Sequence, residues 1–303
     1  MTHNWNKYLQ EISKGELRSL ARSISLVENE VKGYEELLLN IPHTDTVKIT
    51  GITGPPGAGK STLVDALIGE MVNSGNKVAV LCIDPSSPFN LGALLGDRIR
   101  MSEWYTNPNV YIRSLATRGS LGGLHPRIIE IIGVLKAAPF DHIIVETVGV
   151  GQSEIEIAGL ADTTVVVLVP EAGDDIQTMK AGLMEIADIF VVNKSDRPGA
   201  DKFVQNLKMM MAPSFNKDRN EPPIIKTVAS EKKGISELLH EIESHLQKTS
   251  TNDKRAWLLA ERAYHILQNN RMRDVDKRNL KEAINKKLQE GDFNLYKFIL
   301  SFV

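Results

Sequence analysis

The fold can be inferred from two neighbouring stretches of the sequence, Val47-Lys-Ile-Thr-Gly-Ile52 and Gly54-Pro-Pro-Gly-Ala-Gly59-Lys60-Ser61. The second matches the phosphate-binding pattern G-x-x-x-x-G-K-[ST], which needs a strand before it and a helix after it. The sequence predicts both, a buried strand over 47–52 and a helix over 61–74. In such a loop, backbone N–H groups surround the β-phosphate, the lysine reaches the β- and γ-phosphates, and the serine hydroxyl binds Mg²⁺.

Apolar runs recur along the chain and are continuous rather than alternating. They predict strands over 47–52, 78–83, 143–146, 164–169, 190–193 and 224–228, with further helices over 176–187 and 235–246. Continuous runs are typical of parallel strands that are buried on both faces. The sequence therefore predicts an α/β fold, a P-loop NTPase with a mostly parallel sheet covered by helices on both faces.

Both ends of the chain predict helical extensions. Residues 1–45 show apolar side chains at three- and four-residue intervals, namely Trp5, Tyr8, Leu9, Ile12, Leu17, Leu20, Ile24 and Val27. After a polar linker, 251–303 predicts three more helices with apolar stripes, and 46–250 forms the P-loop domain between them. Because the last segment is too short for a core of its own, its stripes must pack on the main domain or on another copy.

The overall composition excludes several classes of protein. The 303 residues are 42% hydrophobic and 24% charged, with a formal charge of −2, so no basic surface for nucleic acid is expected. No apolar stretch approaches the roughly 18 residues of a membrane span, and no signal or transit pattern begins the chain. Cys82 is the only cysteine and the histidines are scattered without metal-ligand spacing. A cytoplasmic protein is predicted.

Asn193-Lys194-Ser195-Asp196 matches the guanine-specific pattern [NT]-K-x-D directly after a predicted strand. Asp196 can accept hydrogen bonds from both N1–H and the N2 amine of guanine, which adenine cannot supply. The stem of Lys194 can cover the base. Backbone N–H groups of Val228, Ala229 and Ser230, at the next strand end, are placed to complete the base pocket.

Carboxylates follow two other predicted strands. Glu146-Thr-Val-Gly149 stands where many GTPases have Asp-x-x-Gly, so Glu146 is predicted to reach the metal shell and the Gly149 N–H to meet the γ-phosphate. Asp84 ends a strand and Asp97 lies in a glycine-containing loop, and both can supply the oxygen ligands that Mg²⁺ prefers. Either aspartate could instead cap a helix.

The sequence allows more than one role for two further loops. Thr117-Arg-Gly-Ser-Leu-Gly-Gly123 is glycine-rich, and Arg118 could contact phosphates or a partner, or could be an ordinary exposed arginine. The loop over 170–180 leaves another strand end and is predicted to be mobile, although Asp174 or Asp175 could simply cap the following helix.

Several of these motifs together resemble the methylmalonyl-CoA mutase-associated GTPases of the MeaB/ArgK type. The motifs are the P-loop, Asp84-Pro-Ser-Ser87, Leu95-Gly-Asp-Arg98, the Thr117–Gly123 loop and Glu146-Thr-Val-Gly-Val-Gly-Gln-Ser-Glu154. The resemblance implies a homodimer with the C-terminal extension in its contact. It also implies a GTPase chaperone that binds an adenosylcobalamin-dependent acyl-CoA mutase, gates cofactor loading and helps to replace damaged cofactor.

Carried over position by position, the resemblance assigns the candidate residues. The metal ligands would be Ser61, Asp84, Asp97 and Glu146. The catalytic residues would be Lys60, Asp84, Asp97, Glu146 and Lys180, the last at the end of a loop that responds to the mutase. The motifs themselves predict the nucleotide-binding residues, which are Gly54, Pro55, Pro56, Gly57, Ala58, Gly59, Lys60, Ser61, Thr62, Gly149, Asn193, Lys194, Asp196, Val228, Ala229 and Ser230. The chain departs from the family at Leu91-Gly92-Ala93, where Gly-Gly-Ser is common, and at Arg98-Ile99, where Lys-Thr is common.

Three other functions remain alternatives. A nickel-delivery GTPase should show a histidine-rich tail or a cysteine pair, and neither is present. A P-loop kinase acting on a protein or small molecule is disfavoured by the guanine motif at 193–196. A scaffold that holds nucleotide without turnover is disfavoured by the acidic residues Asp84, Asp97 and Glu146.

Overall fold

The computed structural model describes residues 4–42, 44, 46–85, 101–118, 123–149, 153–173, 181–211, 221–248, 253–272, 275–291 and 293–300. The chain divides into two compact units, Met1–Arg255 and Ala256–Val303. The predicted division at residues 45 and 250 stays a prediction.

The first unit is built around a sheet that has seven strands in the described residues. The strands are β1 Lys48–Thr53, β2 Val78–Asp84, β3 Val110–Ala116, β4 His142–Glu146, β5 Thr163–Leu168, β6 Ile189–Val192 and β7 Ile224–Lys226. Their order is β3-β2-β4-β1-β5-β6-β7, and every neighbouring pair is parallel. The six predicted strands are confirmed, with boundaries within two residues of those expected.

Helices precede the sheet, connect its strands and follow it. Among the described residues, the helices that contain residues of the first unit are α1 Trp5–Ser13, α2 Leu17–Glu28, α3 Tyr34–Leu39, α4 Lys60–Asn73, α5 Ile128–Lys136, α6 Ser153–Leu160, α7 Ala181–Ile186, α8 Ala200–Met211, α9 Ile235–Lys248 and α10 Asp253–Arg271. Short 3₁₀ helices cover Ser102–Trp104, Pro170–Gly173 and Ala229–Glu231. The helix predicted over 176–187 is helical from Ala181 to Ile186 in its described part.

Both faces of the sheet are covered, as the apolar runs predict. On one face, Leu67 of α4 and Leu238 of α9 share a buried cluster with Val167 of β5. On the other face, Phe203 of α8 shares a second cluster with Val166 of β5. Consecutive residues of one strand therefore point into two different cores. This burial on both sides explains why the strands read as continuous apolar runs.

Strand β3 was not predicted, because its sequence does not form a continuous apolar run. Val110-Tyr-Ile-Arg-Ser-Leu-Ala116 carries Arg113 at its centre. The strand pairs along its whole length with β2, and the Arg113 guanidinium donates to the Glu28 carboxylate and the Ser25 hydroxyl of α2. The partner of this charge lies 85 residues away in sequence, so no local pattern announces it.

Helices also form the described part of the second unit, in which α10 continues and is followed by α11 Lys277–Gln289 and α12 Leu295–Leu300. Apolar side chains are exposed along these helices, including Trp257, Tyr264, Leu267, Leu288, Tyr296 and Leu300. Among the residues that the structure describes, no helix combines the length and apolar character needed to cross a bilayer.

Candidate nucleotide-binding site

The P-loop joins the end of β1 to the start of α4, at the edge where all the parallel strands end. Gly59 is the residue before α4 and has φ +88°, a left-handed conformation that favours glycine. A Cβ on Gly59 would lie 2.4 Å from Nδ2 of Asn193, so a larger residue is excluded by contact as well as by conformation. The loop is therefore shaped both by its own backbone and by the strand end beside it.

Lys60 is buried and curls back over the loop. Its Nζ donates hydrogen bonds to the carbonyl oxygens of Gly54, at 3.0 Å, and Pro55, at 3.1 Å. The ammonium group thus lies directly over the loop whose N–H groups are predicted to hold phosphate. This is the position from which a P-loop lysine can neutralise phosphate charge.

Ser61, Glu146 and Asp84 are buried polar residues at the same edge. The Ser61 hydroxyl donates to Oε1 of Glu146 at 2.7 Å. Glu146, the last residue of β4, is paired in register with Cys82 of β2, and Asp84 ends β2 two residues further on. These side chains offer a hydroxyl and two carboxylates, which are hard oxygen donors suited to Mg²⁺.

The donor set fits a metal that is shared with phosphate. Within the described ranges, no three His, Cys, Asp or Glu side chains are grouped closely enough to hold a metal ion by themselves. Mg²⁺ commonly takes only one or two carboxylates from the protein and completes its shell with substrate phosphates and water. A serine hydroxyl beside a glutamate is compatible with that mode of binding.

The segment from Glu146 to Gly149 packs directly on the P-loop. The Thr147 N–H donates to the carbonyl of Ile52 at 3.0 Å, and its hydroxyl lies 2.9 Å from the hydroxyl of Thr53. Gly149 has φ +82°, and a Cβ there would lie 2.4 Å from the Lys60 Nζ. The same Cβ would lie 2.5 Å from the backbone carbonyl oxygen of Gly54, so only glycine fits at this position. The Gly149 N–H is the group predicted to meet the γ-phosphate.

Sequence reasoning missed the two threonines. Thr53 and Thr147 are both fully buried and join the start of the P-loop to the segment after β4. A threonine directly after an apolar strand was the only signal for either residue.

Asn193 connects the P-loop with the loop that follows β7. Its Nδ2 donates to the carbonyl of Ala58 at 2.9 Å, and its Oδ1 accepts from the Thr227 hydroxyl and from the Ala229 N–H, each at 3.1 Å. Asn193 is 2% exposed. Its single amide therefore holds together two loops that are 135 and 36 residues away from it in sequence.

Lys194 makes a second link to the P-loop. It has φ +56°, and its Nζ donates to the carbonyl of Gly57 at 2.8 Å. The stem of the side chain thereby runs from the guanine motif toward the phosphate loop. This course agrees with the predicted role of covering the base.

Asp196 is exposed at the rim of the same edge. The hydrogen bond from Lys233 to Glu231 and the charge of nearby Asp196 raise the pKa of the Lys233 side chain. The N–H of Ser195 donates to the carbonyl of Thr227 at 3.0 Å, so Asp196, the next residue, lies beside the loop after β7, where the base pocket is predicted.

The N–H groups predicted to complete that pocket are partly used within the protein. The Val228 N–H donates to the carbonyl of Lys233 at 3.1 Å, and the Ala229 N–H donates to Asn193. Contact of these groups with the base stays a prediction, and Ser230 is the member of the trio on which it now rests. Asp97 and Lys180 lie outside the described residues, so their roles also stay predictions.

Arg118, for which the sequence left two roles open, contacts the N-terminal helices. Its guanidinium donates to the backbone carbonyl of Glu28 at 2.8 Å and to the side chains of Glu28 and Asn29 at 3.1 and 3.0 Å. Arg118 is therefore not an ordinary exposed arginine in this structure.

The chain resembles known GTPases over most of its length. A Pyrococcus abyssi protein named as a candidate GTPase is 52% identical over 244 residues, which cover 79% of this chain and 75% of that one. GTPase ArgK of Escherichia coli is 32% identical over 299 residues, 95% of this chain and 87% of that one. A fused isobutyryl-CoA mutase of Geobacillus kaustophilus is 36% identical over 237 residues, 74% of this chain but 22% of that one.

A solved structure shares the fold over nearly the whole chain. The crystal structure of an LAO/AO transport system kinase matches with a TM-score of 0.69 and 26% identity, and covers 99% of this chain and 97% of its own. The model of one family, the methylmalonyl Co-A mutase-associated GTPase MeaB, matches residues 20–283. With the P-loop, the buried Ser61–Glu146 pair and the guanine motif at one sheet edge, the chain belongs to this MeaB family of P-loop GTPases.

Proposed function

We propose that this protein binds GTP with Mg²⁺, hydrolyses it to GDP and phosphate, and acts as a chaperone of an adenosylcobalamin-dependent acyl-CoA mutase. In that role it gates the loading of the cofactor and protects the mutase. The observation that carries the nucleotide part is the Asn193 side chain, which bonds to the P-loop and to the loop after β7 at once. Phosphate and base recognition are thereby built as one site.

The residues at the phosphate end divide the work. Lys60 leaves the carbonyls of Gly54 and Pro55 to neutralise the phosphates, and the Gly149 N–H contacts the transferred group. Ser61 and Glu146 would hold the metal ion. Asp84, at the end of β2, would be a further carboxylate at the same edge of the sheet. When bound, the ion neutralises charge on the β- and γ-phosphates. The hydrogen bond of 2.7 Å from the Ser61 hydroxyl to the Glu146 carboxylate keeps these two side chains oriented toward each other.

The base specificity is tested at Asp196. We expect the unmodified protein to bind GTP and GDP far more tightly than ATP, because Asp196 accepts two hydrogen bonds from guanine. Asp196→Asn should weaken GTP binding and shift preference toward xanthine nucleotides. Competition against a fluorescent GDP analogue measures both effects, with Asp201→Asn as an exposed control outside the motif. Equal affinity for ATP and GTP in the unmodified protein would remove the guanine assignment.

One relative supports the mutase part of the proposal, and one ion pair gives a route by which a partner can act on the nucleotide site. A relative named as a fused isobutyryl-CoA mutase contains a stretch of 237 residues similar to this chain. Glu171, in the described part of the predicted partner-responsive loop, forms an ion pair with Arg197, the residue directly after Asp196. A partner that moves the loop at Glu171 can therefore influence the guanine-binding segment.

Mixing the protein with a purified cognate mutase tests this part. We expect the mutase to stimulate GTP hydrolysis and to bind with different affinity in the GDP and GTP-analogue states, because γ-phosphate and Mg²⁺ order loops at this edge. Binding affinities, unlike rates, must be coupled reciprocally. Phosphate release and complex formation are measured in each state. A mutase that neither binds nor changes the rate would leave the GTPase standing and remove the chaperone role.

Two further parts of the proposal concern assembly and location. The exposed Trp257, Tyr264 and Leu267 on α10 support a homodimer through the C-terminal helices. Light scattering checks it, and a protein that stays monomeric when concentrated would contradict it. Cys82 is buried and is the only cysteine, which supports a reducing, cytoplasmic location.

A kinase is separated from a GTPase by one measurement. Hydrolysis of GTP in the absence of any acceptor is expected for a GTPase. Phosphate release that begins only when a protein or small-molecule acceptor is added would favour the kinase.

A further inference from the structure

Glu28, the last residue of α2, lies between two arginines that are 85 and 90 residues away from it in sequence. Its Oε2 accepts from Arg113 at 2.5 Å, and its Oε1 accepts from Arg118 at 3.1 Å. The Glu28 side chain is 15% exposed, Arg113 is 19% exposed and Arg118 is 32% exposed. One carboxylate thus holds a residue of β3 and a residue of the loop after β3, largely away from water.

The contact with Arg118 extends beyond the carboxylate. The same guanidinium donates to the backbone carbonyl of Glu28 at 2.8 Å and to Oδ1 of Asn29 at 3.0 Å. A cation at the carbonyl end of a helix is favoured by the helix dipole. Arg118 has φ +49°, an uncommon backbone conformation for a residue with a side chain. The contacts with the end of α2 therefore hold Arg118 in a conformation that it would rarely adopt alone.

The held segment is bonded directly to a predicted magnesium-site residue. Ala116 is in register with Asp84 across β3 and β2, and the N–H of Thr117 donates to the carbonyl of Asp84 at 3.0 Å. The chain of contacts therefore runs from Glu28 through Arg118 and Thr117 to Asp84. Each step is a hydrogen bond or a peptide bond.

We propose that Glu28 is a positioning residue for the magnesium side of the nucleotide site, acting through Arg118 and Thr117 on Asp84. The inference rests on the proposed function in so far as Asp84 serves the metal. Helix α2 precedes the P-loop domain in sequence. If Glu28 positions Asp84, this helix contributes to the nucleotide site through the contacts of Arg118 and Thr117. Without the Glu28 charge, Arg113 and Arg118 lose the carboxylate that they share, while Arg118 keeps its bonds to the Glu28 carbonyl and to Asn29. The segment at Thr117 is then held less firmly.

Glu28→Gln tests the inference, because it removes the charge and keeps the size of the side chain. We expect the Mg²⁺ concentration for half-maximal GTP hydrolysis to rise roughly tenfold, the scale seen when residues supporting metal ligands are replaced. We also expect faster amide exchange at Thr117, whose N–H bonds to Asp84. Arg118→Gln should give the same changes, and the double variant should be no worse than the poorer single one.

Glu30→Gln is the matched control. Glu30 follows the same helix, is 54% exposed and pairs with Arg127 instead of Arg118. Its magnesium dependence should stay within about twofold of the unmodified protein, as for ordinary surface substitutions.

The outcomes separate the inference from the function on which it rests. A Glu28→Gln protein that melts lower but keeps its magnesium dependence and its Thr117 exchange rate would show a purely structural role and overturn the inference. If Glu28→Gln fails to fold, Arg118→Gln carries the same test. If the unmodified protein does not hydrolyse GTP, the proposed function fails. Faster Thr117 exchange in the variant would then still support the contact chain to Asp84, and an unchanged rate would overturn it.

Discussion

Replacing Asn193 by alanine should damage stability and nucleotide binding together. The substitution removes three hydrogen bonds, to the Ala58 carbonyl, the Thr227 hydroxyl and the Ala229 N–H. All three partners are buried, at 0%, 0% and 4% exposure, so water does not readily replace the lost amide. Asn193→Ala therefore leaves one acceptor and two donors without their partner in the protein interior.

The expected loss follows from these three groups. A buried polar group that loses its partner costs about 1 kcal/mol or more, so the free energy of unfolding should fall by roughly 3 kcal/mol. For a unit of this size, 1 kcal/mol corresponds to about 2–4 °C in melting temperature, which gives a decrease of roughly 6–12 °C. GDP affinity should fall at least about tenfold, or 1.4 kcal/mol, because the Asn193 side chain no longer connects the P-loop with the loop after β7.

Thermal unfolding followed by circular dichroism without nucleotide, and titration with a fluorescent GDP analogue, measure the two effects. Asp196→Ala is the matched control, since Asp196 belongs to the same motif but is exposed. It should abolish the preference for guanine while changing the free energy of unfolding by less than about 0.5 kcal/mol. If Asn193→Ala melts within about 2 °C of the unmodified protein and binds GDP within about twofold, the reasoning from its hydrogen bonds is refuted.

Two other substitutions test buried positions, one in the nucleotide site and one outside it. Gly149→Ala places a Cβ 2.5 Å from the backbone carbonyl oxygen of Gly54 at φ +82°, so it should displace the segment and slow GTP hydrolysis by about 100-fold, measured as phosphate release. A rate near that of the unmodified protein would contradict the close packing. Burial lowers the pKa of His125 to about 4 from its usual 6.5, so between pH 6.5 and pH 4 the unfolded chain takes up a proton that the folded protein does not. The free energy of unfolding therefore decreases as the pH is lowered from 6.5 to 4, by up to roughly 3 kcal/mol for this one group. In His125→Asn, whose amide can still accept from the Arg127 N–H, this contribution should vanish in denaturant unfolding measured at several pH values. Parallel losses of stability in the two proteins would show that His125 does not contribute.

Local sequence patterns were sufficient to place the main motifs in the fold. The P-loop at 54–61 was placed correctly between a strand and a helix, and the guanine motif at 193–196 directly after a strand, because each motif is adjacent in sequence to the apolar run before it. The apolar runs also predicted six strands and the coverage of both faces. Burial on two faces leaves a compositional mark on every residue of a strand, which a single sequence displays directly.

The connections between these segments were decided only by the tertiary structure. Asn193 bonding to Ala58, Thr53 meeting Thr147, and Glu28 holding Arg113 and Arg118 join residues 85 to 135 positions apart. Strand β3 belongs to the same class, because its central arginine is stabilised by a helix that precedes the sheet. Such pairs obey no periodicity, and their formation depends on the order β3-β2-β4-β1-β5-β6-β7, which brings distant strand ends to one edge. The amino-acid sequence alone predicts which groups bind GTP, and the packing shows which of those groups support one another.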